Sequence, residues 1–137
     1  MATQVRKWLD SVDDLKGLRI SRCFKPKTST LKRIEFHCFS DASEVAYGAA
    51  VYIKTISDVE TNVSLVMGKS RVAPLKTLSI PRLELTAAVV ATKLHKFIVE
   101  EADIKVDASY FWTDSMTVLK YLENTSSRYK TFVAHRI

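Results

Sequence analysis

Between Ile34 and Ser70 the chain consists of three β-rich stretches, and between Leu83 and Ile98 its apolar residues change to helical spacing. That single switch, followed by the apolar run Tyr110-Phe111-Trp112, confines the fold to a sheet whose last strand returns over a helix. In the first stretch Ile34, Phe36 and Cys38 alternate with Glu35 and His37, so one strand ends near Ser40-Asp41. Tyr47 to Ile53 and Val63 to Ser70 read as two further strands. The connections between the three are short, which makes them an antiparallel meander. Pro81 suits a first helical turn, and Leu83, Ala87, Val90, Ala91, Leu94 and Ile98 then mark one face of a helix over about 81–100. A crossover of that length brings the fourth strand back parallel to the first, giving the order β-β-β-α-β-α.

The flanks are less regular. Val5, Trp8, Leu9 and Val12 have helical spacing, while Lys25 to Lys32 carries Pro26, Thr28, Ser29 and Thr30 among its lysines and reads as a linker. The division is therefore 1–32 and 33–137. Asp114-Ser115 caps a short helix in which Val118, Leu119 and Leu122 are expected to face inward. A last helical pattern, Tyr129, Phe132, Val133 and Ile137, runs to the end of the sequence.

At 137 residues and 47% hydrophobic content, one α/β domain with a core is the natural size. The net charge of +6 favours a polyanionic partner as a field effect. Cys23 and Cys38 have neither CxxC spacing nor polar surroundings, and His37, His95 and His135 occur singly. That pattern gives two reduced core thiols and no zinc site. No apolar run approaches the roughly 18 residues of a membrane span, and the head of the chain lacks a signal-peptide core. The expected setting is cytoplasmic or nuclear, without a membrane partner and not secreted.

Three acids carry the chemistry. Asp41 and Asp114 stand at the ends of the first and fourth strands, where α/β sheets place ligands. Glu84 lies one residue from the apolar Leu83, about 100° around the helix, so it flanks the buried face. Each has an ordinary structural explanation: a turn residue for Asp41, a helix-dipole complement for Glu84, an N-cap for Asp114. Gathered together they would repel unless cations lay between them. Such a group suits two-metal hydrolysis at phosphorus, with Mg²⁺ or Mn²⁺ as two ions and no side-chain nucleophile.

The blocks Asp41-Ala42-Ser43, Ala46-Tyr47-Gly48-Ala49, Ser70-Arg71-Val72-Ala73-Pro74-Leu75-Lys76, Ile80-Pro81-Arg82-Leu83-Glu84-Leu85-Thr86-Ala87-Ala88 and Trp112-Thr113-Asp114-Ser115 occur in that order. Together they resemble the ribonuclease H domain of Bel/Pao-type LTR retrotransposon polyproteins. The resemblance implies a ribonuclease H-like α/β fold: a mixed sheet with antiparallel strands 1–3, a parallel strand 4 and flanking helices. It also implies cleavage of the RNA strand of RNA:DNA hybrids during reverse transcription of a retroelement, with Asp41, Glu84 and Asp114 as three of four metal-binding acids. The fourth acid, fifth strand and last helix are expected beyond Ile137, which makes 33–137 a C-terminally truncated domain. Residues 1–32 resemble the tail of the preceding reverse transcriptase region. Implied partners are the hybrid and the reverse transcriptase and integrase regions of the same polyprotein, in a virus-like particle or the nucleus.

For the substrate, Ser43 is a candidate for a backbone or 2′-hydroxyl contact, and Arg71, Lys76 and Arg82 for phosphates. Tyr110 and Trp112 read as buried core rather than stacking platforms, and His95 and Phe97 as surface and core respectively. An integrase-type core is disfavoured because its glutamate usually comes last. The alternative from another class is a catalytically silent structural or nucleic-acid-binding module derived from a retrotransposon.

Overall fold

The computed structural model describes residues 2–19, 30–74 and 78–123. A helix α1 (Ala2–Val12) is followed by a 3₁₀ turn (Asp13–Gly17), and the sheet is built from β1 (Leu31–Ala42), β2 (Ala46–Ser57), β3 (Thr61–Val72) and β4 (Ala108–Trp112). Helix α2 (Ile80–Glu101) crosses from β3 to β4, and α3 (Met116–Glu123) follows. The strand order is β3-β2-β1-β4, with β1 antiparallel to β2, β2 antiparallel to β3, and β1 parallel to β4. β1 starts at Leu31, so the strand takes in the last two residues of the expected linker. Cys23, Lys76, His135 and the helical pattern at Tyr129 to Ile137 lie outside the described residues.

Short polar devices set the register. In the first turn Ser43 N donates to Ala46 O at 2.7 Å, and Ala46 N donates to Ser43 Oγ at 3.2 Å. In the second, Ser57 N donates to Glu60 O at 2.9 Å, and the Ser57 hydroxyl reinforces that closure by accepting from Glu60 N and donating to Glu60 O. Asp107 Oδ2 accepts from Ile34 N at 2.7 Å, and Asp107 N donates to Ile34 O at 2.9 Å. That pair fixes where β4 starts against β1.

The core lies between α2 and one face of the sheet. Phe36, Cys38, Val51 and Ile53 point toward α2 and meet Ala91, Leu94 and Ile98. Ala87 and Ala91 are buried without bulk, so the helix axis comes close to the strands. Burying a leucine or isoleucine such as Leu94 or Ile98 stabilises by about 1.5–3 kcal/mol. A smaller cluster joins Leu85 to Val118 and positions α3 against α2. Burial pushes the Cys38 thiol up to about 11, so it remains a neutral core group.

Three expectations about burial are corrected. Tyr110 and Trp112 are exposed rather than covered on both sides, because β4 is an edge of the described sheet and these two point away from α2. His95 and Phe97 exchange roles. His95 packs edge-on against Phe36 and Phe111, whereas Phe97, turned about 200° around the helix from it, is half exposed. In α3 only Val118 is buried, and Leu119 and Leu122 are exposed on the helix surface.

Candidate active site

The last pair of the parallel ladder is Phe39 with Trp112, and Asp41 and Asp114 each lie two residues beyond it. Equal offsets from one parallel pair bring the two aspartates to the same edge. Both are exposed and both line a concavity of about 680 Å³ on the sheet face away from α2. Its floor is made by small residues, Gly48, Ala49, Ala50 and Gly68. Gly48 pairs with Asp41 across the β1–β2 ladder, and a Cβ there would meet Lys69 O at 3.0 Å. Glycine lets β2 lie close to β3 here, since a Cβ would force the Lys69 carbonyl to shift by a few tenths of an ångström.

The ordinary explanations for the acids fare differently. Asp41 Oδ1 accepts from Ala42 N at 2.7 Å, but the turn that follows is closed by Ser43, not by Asp41. Asp114 does not cap α3: the cap is Ser115, whose Oγ accepts from Val118 N at 3.2 Å. Asp114 has no hydrogen-bond or ion-pair partner among the described residues. Glu84 is the fifth residue of α2, beyond the first turn in which a carboxylate best complements the helix dipole.

Glu84 is half buried and does not line the concavity. Its Oε2 instead accepts from Ser115 Oγ at 2.5 Å. Ser115, next to Asp114 in the chain, therefore serves two purposes at once: it caps α3 and holds Glu84 beside the end of β4. The serine was visible in sequence as a cap, but its bond to a carboxylate 31 residues away was not. Among the described residues no three His, Cys, Asp or Glu side chains form a group able to hold one ion. Asp41 and Asp114 nevertheless offer oxygen donors toward an open space. That matches magnesium-class ions, which keep several waters and take only one or two carboxylates.

The remaining candidates are dispersed. The Ser43 hydroxyl is engaged in its turn, donating to Ala46 O at 3.1 Å. Arg71 is exposed at the end of β3 and faces α2, and Arg82 is exposed in the first turn of α2.

Beside the concavity the open face carries an aromatic row. His37 stacks with Tyr110 (5.1 Å between centroids) and Trp112 (6.0 Å), and Trp112 with Phe39 (6.2 Å). Trp112 Nε1 donates to His37 Nδ1 at 3.1 Å. An indole nitrogen is only a donor, so Nδ1 is the acceptor and the neutral ring carries its proton on Nε2, facing Glu35 Oε2 at 3.2 Å. Glu35 also meets Arg33 Nε at 2.6 Å and Lys54 Nζ at 3.4 Å. Burial raises its carboxyl, but the bonds from His37 and Lys54 and the charges of Lys54 and Arg33 outweigh that and hold it below the ordinary value.

A mixed four-stranded sheet with β1 parallel to β4, a crossover helix on one face and carboxylates at the strand ends defines a ribonuclease H-like α/β protein. The family model for the Pao retrotransposon-like RNaseH-like domain matches residues 1–115, and the chain belongs to that family. No curated protein and no solved structure matches the chain. Among the described residues no helix is long and apolar enough to cross a membrane.

Proposed function

We propose that the chain hydrolyses the RNA strand of RNA:DNA hybrids as part of a retroelement polyprotein, with two magnesium- or manganese-class ions held by Asp41, Glu84 and Asp114. The observation that carries this reading is the equal offset of Asp41 and Asp114 from the Phe39–Trp112 pair, which gives one concavity two carboxylates. Bound ions of this class would supply the positive charge that activates a water and stabilises the leaving oxygen of an in-line displacement. The chain's own groups prepare the place. Asp114 has no partner among the described residues because Ser115 takes over the helix cap, and the same hydroxyl holds Glu84 close by. The small floor residues leave room for a phosphate-bearing strand, and Arg71, Arg82, Lys76 and Ser43 are assigned to backbone contacts. On this reading residues 1–32 join the domain to a preceding reverse transcriptase, and an integrase region belongs to the same polyprotein.

The second reading, a non-catalytic nucleic-acid-holding module, is favoured by one observation: the described acids do not form a three-ligand group. Cleavage of an end-labelled hybrid with Mg²⁺ or Mn²⁺ separates the two. Under the nuclease reading Asp41→Asn and Asp114→Asn each slow cleavage by roughly 10²–10³-fold, as loss of several kcal/mol of charge stabilisation requires. Absence of metal-dependent cleavage by the unmodified chain, with hybrid still bound, selects the module.

A further inference from the structure

On the α2 side of the sheet a second cavity, of about 500 Å³, runs between β3 and α2. Lys69 and Arg71 line it from β3, two residues apart and therefore on one strand face, about 6.8 Å apart along the chain. Thr86, Val89, Val90, Lys93 and Phe97 line the opposite wall at helical spacing. Among the described residues no acidic side chain lines the groove. Lys69, Arg71 and Lys93 are exposed, and none has an ion-pair partner among the described residues. Lys96, one turn further along α2, differs: it lies outside the groove and pairs with Glu100 at 3.7 Å.

From this geometry we infer that the β3–α2 groove is a second binding site, for the phosphodiester backbone of a nucleic acid, with Lys69, Arg71 and Lys93 as its phosphate contacts. Three cations with no acid beside them among the described residues, on two converging walls, form a local positive potential, and flexible lysine ammonium groups meet phosphate oxygens without reading bases. The site is therefore independent of sequence. It is also coupled in space to the acids: β3 is an edge of the described sheet, and its Gly68 and Lys69 line both this groove and the concavity of Asp41 and Asp114. A strand anchored at the groove is thus held next to the proposed cleavage site across one strand edge. The identity of the anion as nucleic acid rests on the function proposed above; the existence of an anion site does not.

The test is fluorescence anisotropy with a labelled RNA:DNA hybrid in EDTA, which removes cleavage, at 50–200 mM KCl. Each of Lys69→Ala, Arg71→Ala and Lys93→Ala is expected to lower the slope of log affinity against log salt by about 0.7–0.9. In the triple variant the affinity lost between 50 and 200 mM shrinks by roughly 20–40-fold relative to the unmodified chain. Lys96→Ala should leave the slope unchanged. An equal effect of Lys96→Ala would mean diffuse attraction and overturn the site, as would unchanged slopes in the three groove variants. Displacement of the hybrid by poly-glutamate as readily as by unlabelled hybrid of equal charge would overturn the phosphodiester assignment. The two proposals fail separately: Asp41→Asn leaves these slopes intact, and Lys69→Ala and Lys93→Ala with normal slopes and intact cleavage would remove the groove alone, Arg71 being shared with the proposed nuclease site.

Discussion

On the α2 side of the sheet Phe36, Cys38, Val51 and Ile53 are at most 2% exposed, whereas one step along the same strands Phe39 is 44% exposed and Trp112, opposite it, 51%. The covered face is held by non-directional burial, with aliphatic side chains locked against α2. The open face is held by direction: stacked rings, one indole-to-imidazole bond, and a carboxylate ringed by Arg33, His37 and Lys54. Covered residues are fixed by what excludes water, and open ones by what they bond to. The concavity with the two aspartates opens on the second face, where water and ions have access.

The sharpest way to break the comparison is to truncate matched aromatics on opposite faces of β1. Phe36→Ala should cost about 3–5 kcal/mol, the range for emptying a closed core site. Phe39→Ala, which loses stacking and only part of its burial, should cost about 1–2 kcal/mol. Urea unfolding midpoints at fixed m-value measure both, and equal losses would show that the open face is as tightly packed as the core.

A smaller effect is expected where the two faces meet, at the end of β4. Ser115→Ala removes the α3 cap and should cost about 1 kcal/mol in the same unfolding experiment. It also releases Glu84, so hybrid cleavage should fall by more than this stability loss explains at temperatures well below the transition. Ser115→Thr, which retains the hydroxyl, should recover both. Failure of threonine to restore cleavage while restoring stability would separate the cap from the positioning of Glu84.

Much of this arrangement was legible in the residues, and the illegible part has a common cause. Alternation at Ile34, Phe36 and Cys38, and the spacing of Ala87, Ala91, Leu94 and Ile98, report which side chains share a face, so the meander, the crossover helix and the parallel fourth strand follow. Periodicity does not report whether the other face is covered. Tyr110-Phe111-Trp112 is apolar at every position, and that pattern is the same for a strand between two layers and for an edge strand carrying an aromatic row. The ends of β1 and β4 pointed to Asp41 and Asp114, since register carries both side chains forward together. The tether on Glu84 and the approach of Lys93 to Lys69 depend on how α2 lies over the strands, which pairs residues far apart in the chain.

The smallest expected effect is a pH dependence that divides along the same two faces. His95, on the covered side, is pushed down by burial, with Nε2 2.8 Å from Ser109 Oγ. The unfolded chain then binds a proton where the folded chain does not, so stability is full above the ordinary value of 6.5 and falls as pH drops toward the folded value. Glu35, on the open side, has its net shift downward from 4.5, so its contribution is present above that value and is lost as pH falls through the lower folded one. Urea midpoints measured from pH 8 to pH 3 should therefore decline in two stages. His95→Gln, which keeps a polar atom for Ser109 but cannot titrate, should flatten the first stage and leave the second. Glu35→Gln should do the reverse. If His95→Gln leaves the upper stage in place, the covered face does not set the first loss, and the proton enters elsewhere.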